Sequence, residues 1–148
     1  MHVLRTLPLM LVVAAAAAAQ EAAPTPTPGQ SLAPAPTEAL LFEDTRFGGQ
    51  FLTLKTGDAI PDLSTSHYGN WDRRISSVWV GDETAVILYT GLNYRNTCVV
   101  LPGKGGGAPG VYPDLGRIAS KNLRGSLNNT IGSLRVIAKT DDAKKYCQ

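Results

Sequence analysis

The 148-residue sequence has little of several residue types on which common protein classes depend. It contains only two histidines and two cysteines, and 14 Lys and Arg residues nearly balance 12 Asp and Glu residues. Charges of both signs are interleaved along the chain. A strong basic surface for nucleic acid or an anionic membrane is therefore not expected.

Sustained helical periodicity is also missing after Glu38. The best candidate for one short helical turn is GRIASKNLRG, at residues 116–125. Short segments rich in β-branched and aromatic residues predict strands instead, and Gly, Pro, Asn and Asp separate them. These segments are ALLF, QFLTL, SSVWV, AVILY, TCVVL and SLRVIA. The predicted fold class is all-β, most compatible with a two-sheet β-sandwich.

Residues 1–38 are not expected to belong to the folded domain. Residues 1–19 carry a basic residue, an apolar run and small residues at Ala17 and Ala19, which is typical of a secretory signal peptide cleaved before Gln20. A membrane anchor would need about 20 apolar residues, and this apolar run is shorter. Residues 20–38 contain five prolines and no aromatic residue, which favours a disordered linker. We expect a secreted or periplasmic protein with no membrane span in its mature form.

The two cysteines, Cys98 and Cys147, both lie in the part of the chain that would be exported. An oxidising compartment favours a disulfide between them, and two free thiols are the alternative. The bridge would close a loop of about 50 residues and stabilise the fold by about 3 to 4 kcal/mol. The charged residues at 139–148 otherwise indicate a solvated C-terminal tail.

Several sequence blocks occur twice, in the same order, between residues 39 and 138. LLFEDTRFGGQFLTL aligns with ILYTGLNYRNTCVVL, IPDL with YPDL, and DRRISSVWV with NNTIGSLRV. The folded domain at residues 39–138 is therefore predicted to contain two similar β motifs, at residues 39–82 and 85–138. Asp62 and Asp114 follow proline at matched positions and are interpreted as turn residues.

Each motif begins with two aromatic residues five positions apart. Folding the first ring back over a tight hairpin requires a positive φ shortly afterwards, which Gly49 adopts at no cost and Asn96 tolerates. Ser77 and Ser133 end the paired hexapeptides and can hydrogen-bond the hairpin backbone. We expect the hairpin rings to be those of Phe42, Phe47, Tyr89 and Tyr94, and the core residues between the sheets to include Val78, Val80, Leu134 and Val136.

The hairpin segment FEDTRFGG, its weaker copy YTGLNYRN and the hexapeptides DRRISS and NNTIGS resemble a βγ-crystallin domain. The resemblance covers about residues 39–138. It implies two Greek-key motifs in one sandwich of two four-stranded sheets. In microbial members of this family the hexapeptide has two Asn or Asp residues, two variable residues, Ser or Thr, and then Ser, and it binds calcium.

The resemblance implies two calcium sites, each shared between the motifs. The implied ligands are side-chain oxygens of Asp72, Ser76, Asn128 and Asn129, and main-chain oxygens of Glu43, Arg74, Thr90 and Thr130. Calcium prefers six to eight hard oxygens, which such turns can supply. Both copies depart from the pattern, because Arg73 brings a positive charge and Gly132 lacks a hydroxyl. The sequence leaves two interpretations open: calcium sites with a Kd of about 10⁻⁴ M or weaker, or turns that serve the fold alone.

No catalytic residue and no cofactor besides calcium are predicted. His67 is isolated, no nucleophile elbow surrounds Ser64 or Ser66, and GKGGG lacks the spacing of a phosphate-binding loop. The first functional hypothesis is a monomeric, non-enzymatic structural or binding module with an unknown protein or cell-surface partner. The alternative is a protease inhibitor or antimicrobial toxin, because the family includes both among its exported microbial members. For an inhibitor, the loop LPGKGGGAPGVYP would be the reactive surface.

Overall fold

The computed structural model describes residues 32–119 and 123–147. The predicted signal peptide and linker residues 20–31 lie outside these residues. The strands are β1 Glu38–Phe42, β2 Phe51–Lys55, β3 Ala59–Ile60, β4 Ser77–Val80, β5 Thr84–Tyr89, β6 Cys98–Pro102, β7 Gly110–Tyr112 and β8 Ser133–Ala138. Short 3₁₀ turns occur at Thr45–Phe47, Leu115–Arg117 and Ala143–Tyr146. No helix within the described residues is long and apolar enough to cross a membrane.

The strands form two four-stranded antiparallel sheets, which confirms the predicted all-β sandwich. The first sheet has the order β2-β1-β4-β7, and the second has the order β3-β8-β5-β6. The first motif thus contributes β3 to the second sheet, while the second motif contributes β7 to the first. This exchange of strands ties the two motifs into one domain. The sequence did not predict β3 and β7, which are two and three residues long.

The core between the sheets follows from alternation along the strands. In β1, Ala39 and Leu41 point inward, and in β4 the inward residues are Val78 and Val80. The predicted core residues Leu134 and Val136 of β8 belong to the same cluster. The part of GRIASKNLRG that the structure describes contains the 3₁₀ turn at Leu115–Arg117, while residues 120–122 lie outside the described residues.

Both aromatic hairpins have the predicted arrangement. The ring centroids of Phe42 and Phe47 are 5.5 Å apart, and those of Tyr89 and Tyr94 are also 5.5 Å apart. The backbone after each second ring has a positive φ, with 74° at Gly49 and 67° at Asn96. Phe47 and Tyr94 themselves also have positive φ values, of 63° and 60°. The sequence did not predict this, because aromatic residues seldom adopt that conformation.

Ser77 and Ser133 hold these unusual backbones in place. The Ser77 hydroxyl accepts a hydrogen bond from the Phe47 amide at 3.0 Å and donates one to the Asp44 carbonyl at 2.6 Å. Ser133 makes the same pair of bonds in the second motif, to the Tyr94 amide at 3.0 Å and the carbonyl of Gly91 at 2.6 Å. Both serines are fully buried. Each one satisfies two backbone groups that would otherwise be unpaired.

The predicted turn role of Asp62 and Asp114 also fits the structure. The Asp62 carboxylate accepts a hydrogen bond from the amide of Ser64, and Asp114 accepts one from the amide of Gly116, both at 2.8 Å. The hydrogen bond from the Ser64 hydroxyl lowers the pKa of Asp62. Both carboxylates therefore stabilise local turns.

The charged residues of the C-terminal tail, Asp141, Asp142, Lys144 and Lys145, are exposed as expected, while its last residues pack on the domain through the predicted disulfide. Cys147 forms a disulfide with Cys98, with the two Cα atoms 5.5 Å apart. The Tyr89 hydroxyl donates a hydrogen bond to the Tyr146 carbonyl at 2.8 Å. The Arg135 guanidinium lies 3.5 Å from the Tyr94 ring centroid and 5.6 Å from that of Tyr146. Burial in this cluster raises the pKa of Tyr89.

At the other end, the ordered domain begins before the predicted boundary at residue 39. The carbonyl of Pro36 accepts hydrogen bonds from the Glu83 amide at 3.1 Å and the Thr84 hydroxyl at 3.0 Å. The carbonyl of Thr37 accepts one from the Thr56 amide at 2.9 Å. Pro36 and Thr37, which the sequence assigned to the linker, are therefore held against the domain. Composition could not reveal this, because the contacts use backbone carbonyls.

Candidate calcium sites at the hexapeptide turns

The two hexapeptides form turns that pair with each other directly. The amide of Arg73, second in DRRISS, donates to the carbonyl of Ile131 at 3.0 Å. The amide of Asn129, second in NNTIGS, donates to the carbonyl of Ile75 at 3.1 Å. Arg73 and Asn129 have the same left-handed backbone, each with a φ of 54°. The second residue of each turn consequently lies beside the fifth residue of the other turn.

The first site consists of Glu43, Arg74, Ser76 and Asn129. The amide of Ser76 donates to the carbonyl of Phe42 at 2.8 Å, which places Ser76 beside Glu43. The Ser76 hydroxyl donates to the Oδ1 atom of Asn129 at 3.0 Å. Ser76 is only 3% exposed. A hydroxyl from one motif and an amide oxygen from the other are thus in direct contact.

An ion pair borders the first site. The Arg74 guanidinium contacts the Glu43 carboxylate, which also accepts a hydrogen bond from the Gln50 amide at 3.2 Å. Nη1 of Arg74 donates to the Asn70 carbonyl at 2.8 Å, and the guanidinium lies 5.6 Å from the Trp71 ring centroid. Arg74 is therefore fixed by a carboxylate, a carbonyl and an aromatic ring.

The second site consists of Arg73, Thr90, Thr130 and Gly132. The amide of Gly132 donates to the carbonyl of Tyr89 at 2.9 Å, which places Gly132 beside Thr90. A Cβ atom added at Gly132 would lie 3.5 Å from the Thr90 carbonyl oxygen. Arg73 joins this site through its bond to Ile131. Both departures from the calcium-binding pattern, Arg73 and Gly132, therefore fall in the same place.

Three of the predicted ligand residues, Asp72, Asn128 and Thr130, make local contacts in the first half of each turn. The Asp72 amide donates to the side chain of Asn70, and the Asp72 carboxylate lies 3.9 Å from Nε of Arg73. The Asn128 amide donates to the Ser126 hydroxyl at 3.1 Å, and the Thr130 hydroxyl donates to the Leu127 carbonyl at 2.8 Å. These bonds shape the turns.

Asn128 carries one unusual atom. Its Oδ1 is buried and has no hydrogen-bond partner among the described residues. A buried oxygen left unpaired costs about 1 to 3 kcal/mol, unless a ligand or water satisfies it. A Cβ atom built at Gly116 would lie 3.7 Å from the Asn128 Cβ, so this side chain lies beside the 3₁₀ turn at Leu115–Arg117.

The donor chemistry differs between the two sites. Within residues 32–119 and 123–147, no three His, Cys, Asp or Glu side chains cluster closely enough to hold a metal ion. A cation would therefore depend on amide, hydroxyl and main-chain oxygens, which suit calcium. The first site offers the Ser76 hydroxyl and the Asn129 amide, with the main chain of Glu43 alongside. The second site lacks the hydroxyl and carries Arg73, so it fits calcium less well.

The sequence pattern identifies these residues but does not show two features of the sites. In the sequence each hexapeptide has one departure from the calcium-binding pattern, and a linear pattern does not show which positions of the two turns meet. The pattern also assigns Glu43 and Arg74 for their main-chain oxygens and does not show the contact between their side chains. Opposite charges at two implied ligand positions were the available indication of that ion pair.

One protein-family model matches part of the chain, and the similar solved structures described below share one fold. The family model of peptidase inhibitor family I36 matches residues 40–101. A domain solved in a study of the evolution of the eye-lens βγ-crystallin fold is 23% identical, with a TM-score of 0.57, and the match covers 74% of this chain and 94% of that one. The domain has the βγ-crystallin fold. A comparison with curated protein sequences finds no match.

Two further βγ-crystallin domains have the same architecture. The calcium-bound domain of Abundant Perithecial Protein from Neurospora crassa is 16% identical, with a TM-score of 0.55, over 76% of this chain and all of that one. A domain from Clostridium beijerinckii is 17% identical, with a TM-score of 0.51, over 68% of this chain and 97% of that one. Identities this low establish the βγ-crystallin fold, and an activity has to be argued from the sites.

Proposed function

We propose that this βγ-crystallin domain is a secreted or periplasmic, non-enzymatic binding module that binds one calcium ion at the first site. The observation that carries the proposal is the contact between Ser76 and Asn129, which joins a hydroxyl and an amide oxygen from different motifs. The buried, unpaired Oδ1 of Asn128, in the same turn as Asn129, is a further oxygen of the kind that calcium prefers. The relative from Neurospora crassa is a calcium-bound domain of the same fold.

The proposed stoichiometry follows from how the two turns meet. If each site contained one departure from the pattern, both sites would be weakened. Because of the hydrogen bonds that the Arg73 and Asn129 amides donate, Arg73 lies beside Gly132, and both departures belong to the second site. The first site therefore keeps its hydroxyl and its amide ligand. With neutral side-chain ligands, we expect a Kd of about 10⁻⁴ M, a value typical of extracellular calcium modules.

Calcium at the first site would act as a link between the motifs, because Ser76 and Asn129 belong to different ones. An ion that binds only the folded state stabilises it by RT ln(1 + [Ca]/Kd), which is about 1.4 kcal/mol at ten times Kd. The proposed role is thus structural, with stability tied to extracellular calcium.

Isothermal titration calorimetry of the folded domain tests the proposal. We expect one calcium ion per domain, with magnesium giving no comparable heat. Asn129→Ala should abolish binding, and Asp141→Ala, at an exposed residue outside both turns, is the control that should retain it. Absence of calcium binding to the wild-type domain at millimolar concentration would refute the proposed function.

Peptidase inhibition is the second candidate function, because the family model of peptidase inhibitors matches residues 40–101. The glycine-rich loop that the sequence favoured as the reactive surface has φ values of 86°, 63° and 82° at Gly105, Gly106 and Gly107. Main-chain pairing to a partner uses an extended segment, which such a backbone does not offer. The candidate inhibitory surface therefore lies within the matched residues.

An inhibition assay against purified metallo- and serine proteases, at a molar excess of the domain, tests this second function. We expect inhibition to survive shortening of the loop at residues 104–108, since the match ends at residue 101. Loss of inhibition on shortening would return the reactive surface to the loop. Unimpaired activity of every protease would exclude inhibition of the tested classes.

A further inference from the structure

We propose that the Arg74 guanidinium is an internal cation that competes with calcium for the first site and sets its affinity. This inference rests on the proposed calcium-binding function. It concerns the side chains of Glu43 and Arg74, whose main-chain oxygens alone are implied as ligands by the resemblance. The ion pair between these two side chains borders the site on the side of the first hairpin.

The Arg74 guanidinium joins the two segments of chain that a calcium ion at the first site would also join. Its guanidinium links Glu43, which follows β1, to the hexapeptide turn, and the Ser76 amide joins the same two segments through the carbonyl of Phe42 at 2.8 Å. A calcium ion that used oxygens of Glu43 and Ser76 would bridge these segments as well. The guanidinium and the metal ion would therefore hold the same two segments together.

Electrostatics makes the two cations antagonists. Like charges repel over several ångströms when the effective dielectric constant near the protein surface is about 20. The Arg74 charge therefore opposes a divalent ion at the neighbouring oxygens. The ion pair also neutralises Glu43, whose negative charge would otherwise attract calcium. Both effects lower the affinity of the first site, and both disappear when Arg74 is made neutral.

The repeat provides an internal reference for this interpretation. In the aligned second motif, Thr90 occupies the position of Glu43, and Thr130 occupies that of Arg74. Neither residue can form an ion pair, and the Thr130 hydroxyl bonds to the carbonyl of Leu127 at 2.8 Å. The turn thus forms without this charge pair, so the fold itself does not require it. The pair is a feature of the first site.

We expect removal of the Arg74 charge to lower the stability of the domain and to raise its affinity for calcium. Without calcium, the ion pair and the bond from Arg74 to the Asn70 carbonyl at 2.8 Å fasten the turn. Arg74→Gln should therefore lower the melting temperature of the calcium-free domain. The same variant should bind calcium at least about fivefold more tightly, because one repelling charge is gone. A residue with only a structural role would lower stability without tightening the site.

The test combines titration calorimetry with thermal unfolding of the folded domain, using calcium chloride as the probe. The variants are Arg74→Gln, Glu43→Gln and the double variant. Glu43→Gln should weaken calcium binding. In the calcium-free state, the double variant should be little less stable than either single variant, since both single changes break the same pair. Lys104→Gln is the charge-matched control, because Lys104 lies in the exposed loop that follows β6, and its Kd should stay within about twofold of wild type.

Each outcome decides between the inference and the function on which it rests. Tighter binding by Arg74→Gln, with an unchanged Lys104→Gln control, supports the internal cation. If the wild type binds one calcium ion and Arg74→Gln binds it no more tightly, the inference is overturned and the calcium site stands. If neither the wild type nor Arg74→Gln binds calcium, both proposals fail. Equal tightening by Lys104→Gln would reduce the effect to net charge and overturn the inference.

Discussion

The two hexapeptide turns share one backbone and differ in chemistry. Their second residues, Arg73 and Asn129, have the same φ of 54°, and their sixth residues, Ser77 and Ser133, make equivalent hydrogen bonds to the hairpins. Their fifth residues, Ser76 and Gly132, differ in the hydroxyl that a cation would use. The positions that build the fold are therefore separate from those that could bind an ion, so the binding positions can change while the fold stays the same.

The outer faces of the two sheets differ in a similar way. Phe51 lies opposite Phe42 in the first sheet, in the same register in which Cys98 lies opposite Tyr89 in the second. The first position carries a ring, 5.6 Å from that of Phe42, whereas the second anchors the tail through Cys147. The second motif is therefore the one reinforced by a covalent bond.

The largest effect is expected from removing the disulfide that reinforces the second motif. Replacing Cys98 and Cys147 together by serine should lower the free energy of unfolding by about 3 to 4 kcal/mol, because the bridge closes a long loop in the unfolded chain. Chemical denaturation of the variant, beside oxidised and reduced wild type, measures this. A variant as stable as the oxidised protein would contradict the account of the tail.

The next effect tests what the two motifs have in common. Ser77→Ala and Ser133→Ala should each lower the free energy of unfolding by about 2 to 3 kcal/mol, because each leaves a buried amide and a buried carbonyl unpaired. Ser66→Ala, at a half-buried serine whose hydroxyl donates a solvent-exposed hydrogen bond to the Gly69 carbonyl, should cost less. If only one of the two hairpin substitutions lowered the free energy of unfolding, the two motifs would not be structurally equivalent.

A smaller effect separates the two calcium sites. At ten times Kd, calcium should raise the stability of the wild type by about 1.4 kcal/mol, visible as a higher melting temperature. Asn129→Ala should remove this increase, and Arg73→Ala, at the equivalent position of the other turn, should preserve it. An increase lost in Arg73→Ala and kept in Asn129→Ala would place the ion at the second site.

The smallest effect should come from rebuilding the second site. Arg73→Asp supplies an anionic ligand, and Gly132→Ser restores the hydroxyl without backbone strain, since Gly132 is not among the described residues with a positive φ. The new Cβ would lie 3.2 Å from the carbonyl group of Gly91, so neighbouring atoms must shift slightly. The double variant should bind a second calcium ion in calorimetry. Unchanged stoichiometry would mean that other features disable the site.

Local features of the fold were predictable from the sequence, because local rules determine them. The hairpin rings, the positive φ at Gly49 and Asn96 and the roles of Ser77 and Ser133 all follow from short patterns in the chain. The inward residues of β4 and β8 follow from strand alternation. These features repeat in both motifs, which strengthened each prediction.

Features that depend on long-range pairing were not predictable in the same way. The exchange of β3 and β7 involves strands too short to leave a pattern. The contact between Asn129 and Ser76 depends on hydrogen bonds from backbone amides between the two turns. The packing of the tail depends on a hydrogen bond to the carbonyl of Tyr146. The contact between Glu43 and Arg74 joins residues 31 positions apart. In each case, tertiary contacts decide what local pattern leaves open.

The most direct test of the central claim, that only the first site binds calcium, is nuclear magnetic resonance of the ¹⁵N-labelled domain during a calcium titration. We expect the largest amide shifts around Glu43, Ser76 and Asn129, with small shifts at Thr90 and Gly132. Magnesium should not reproduce the pattern. Shifts of equal size at both turns, or the largest shifts at Thr90 and Gly132, would contradict the account.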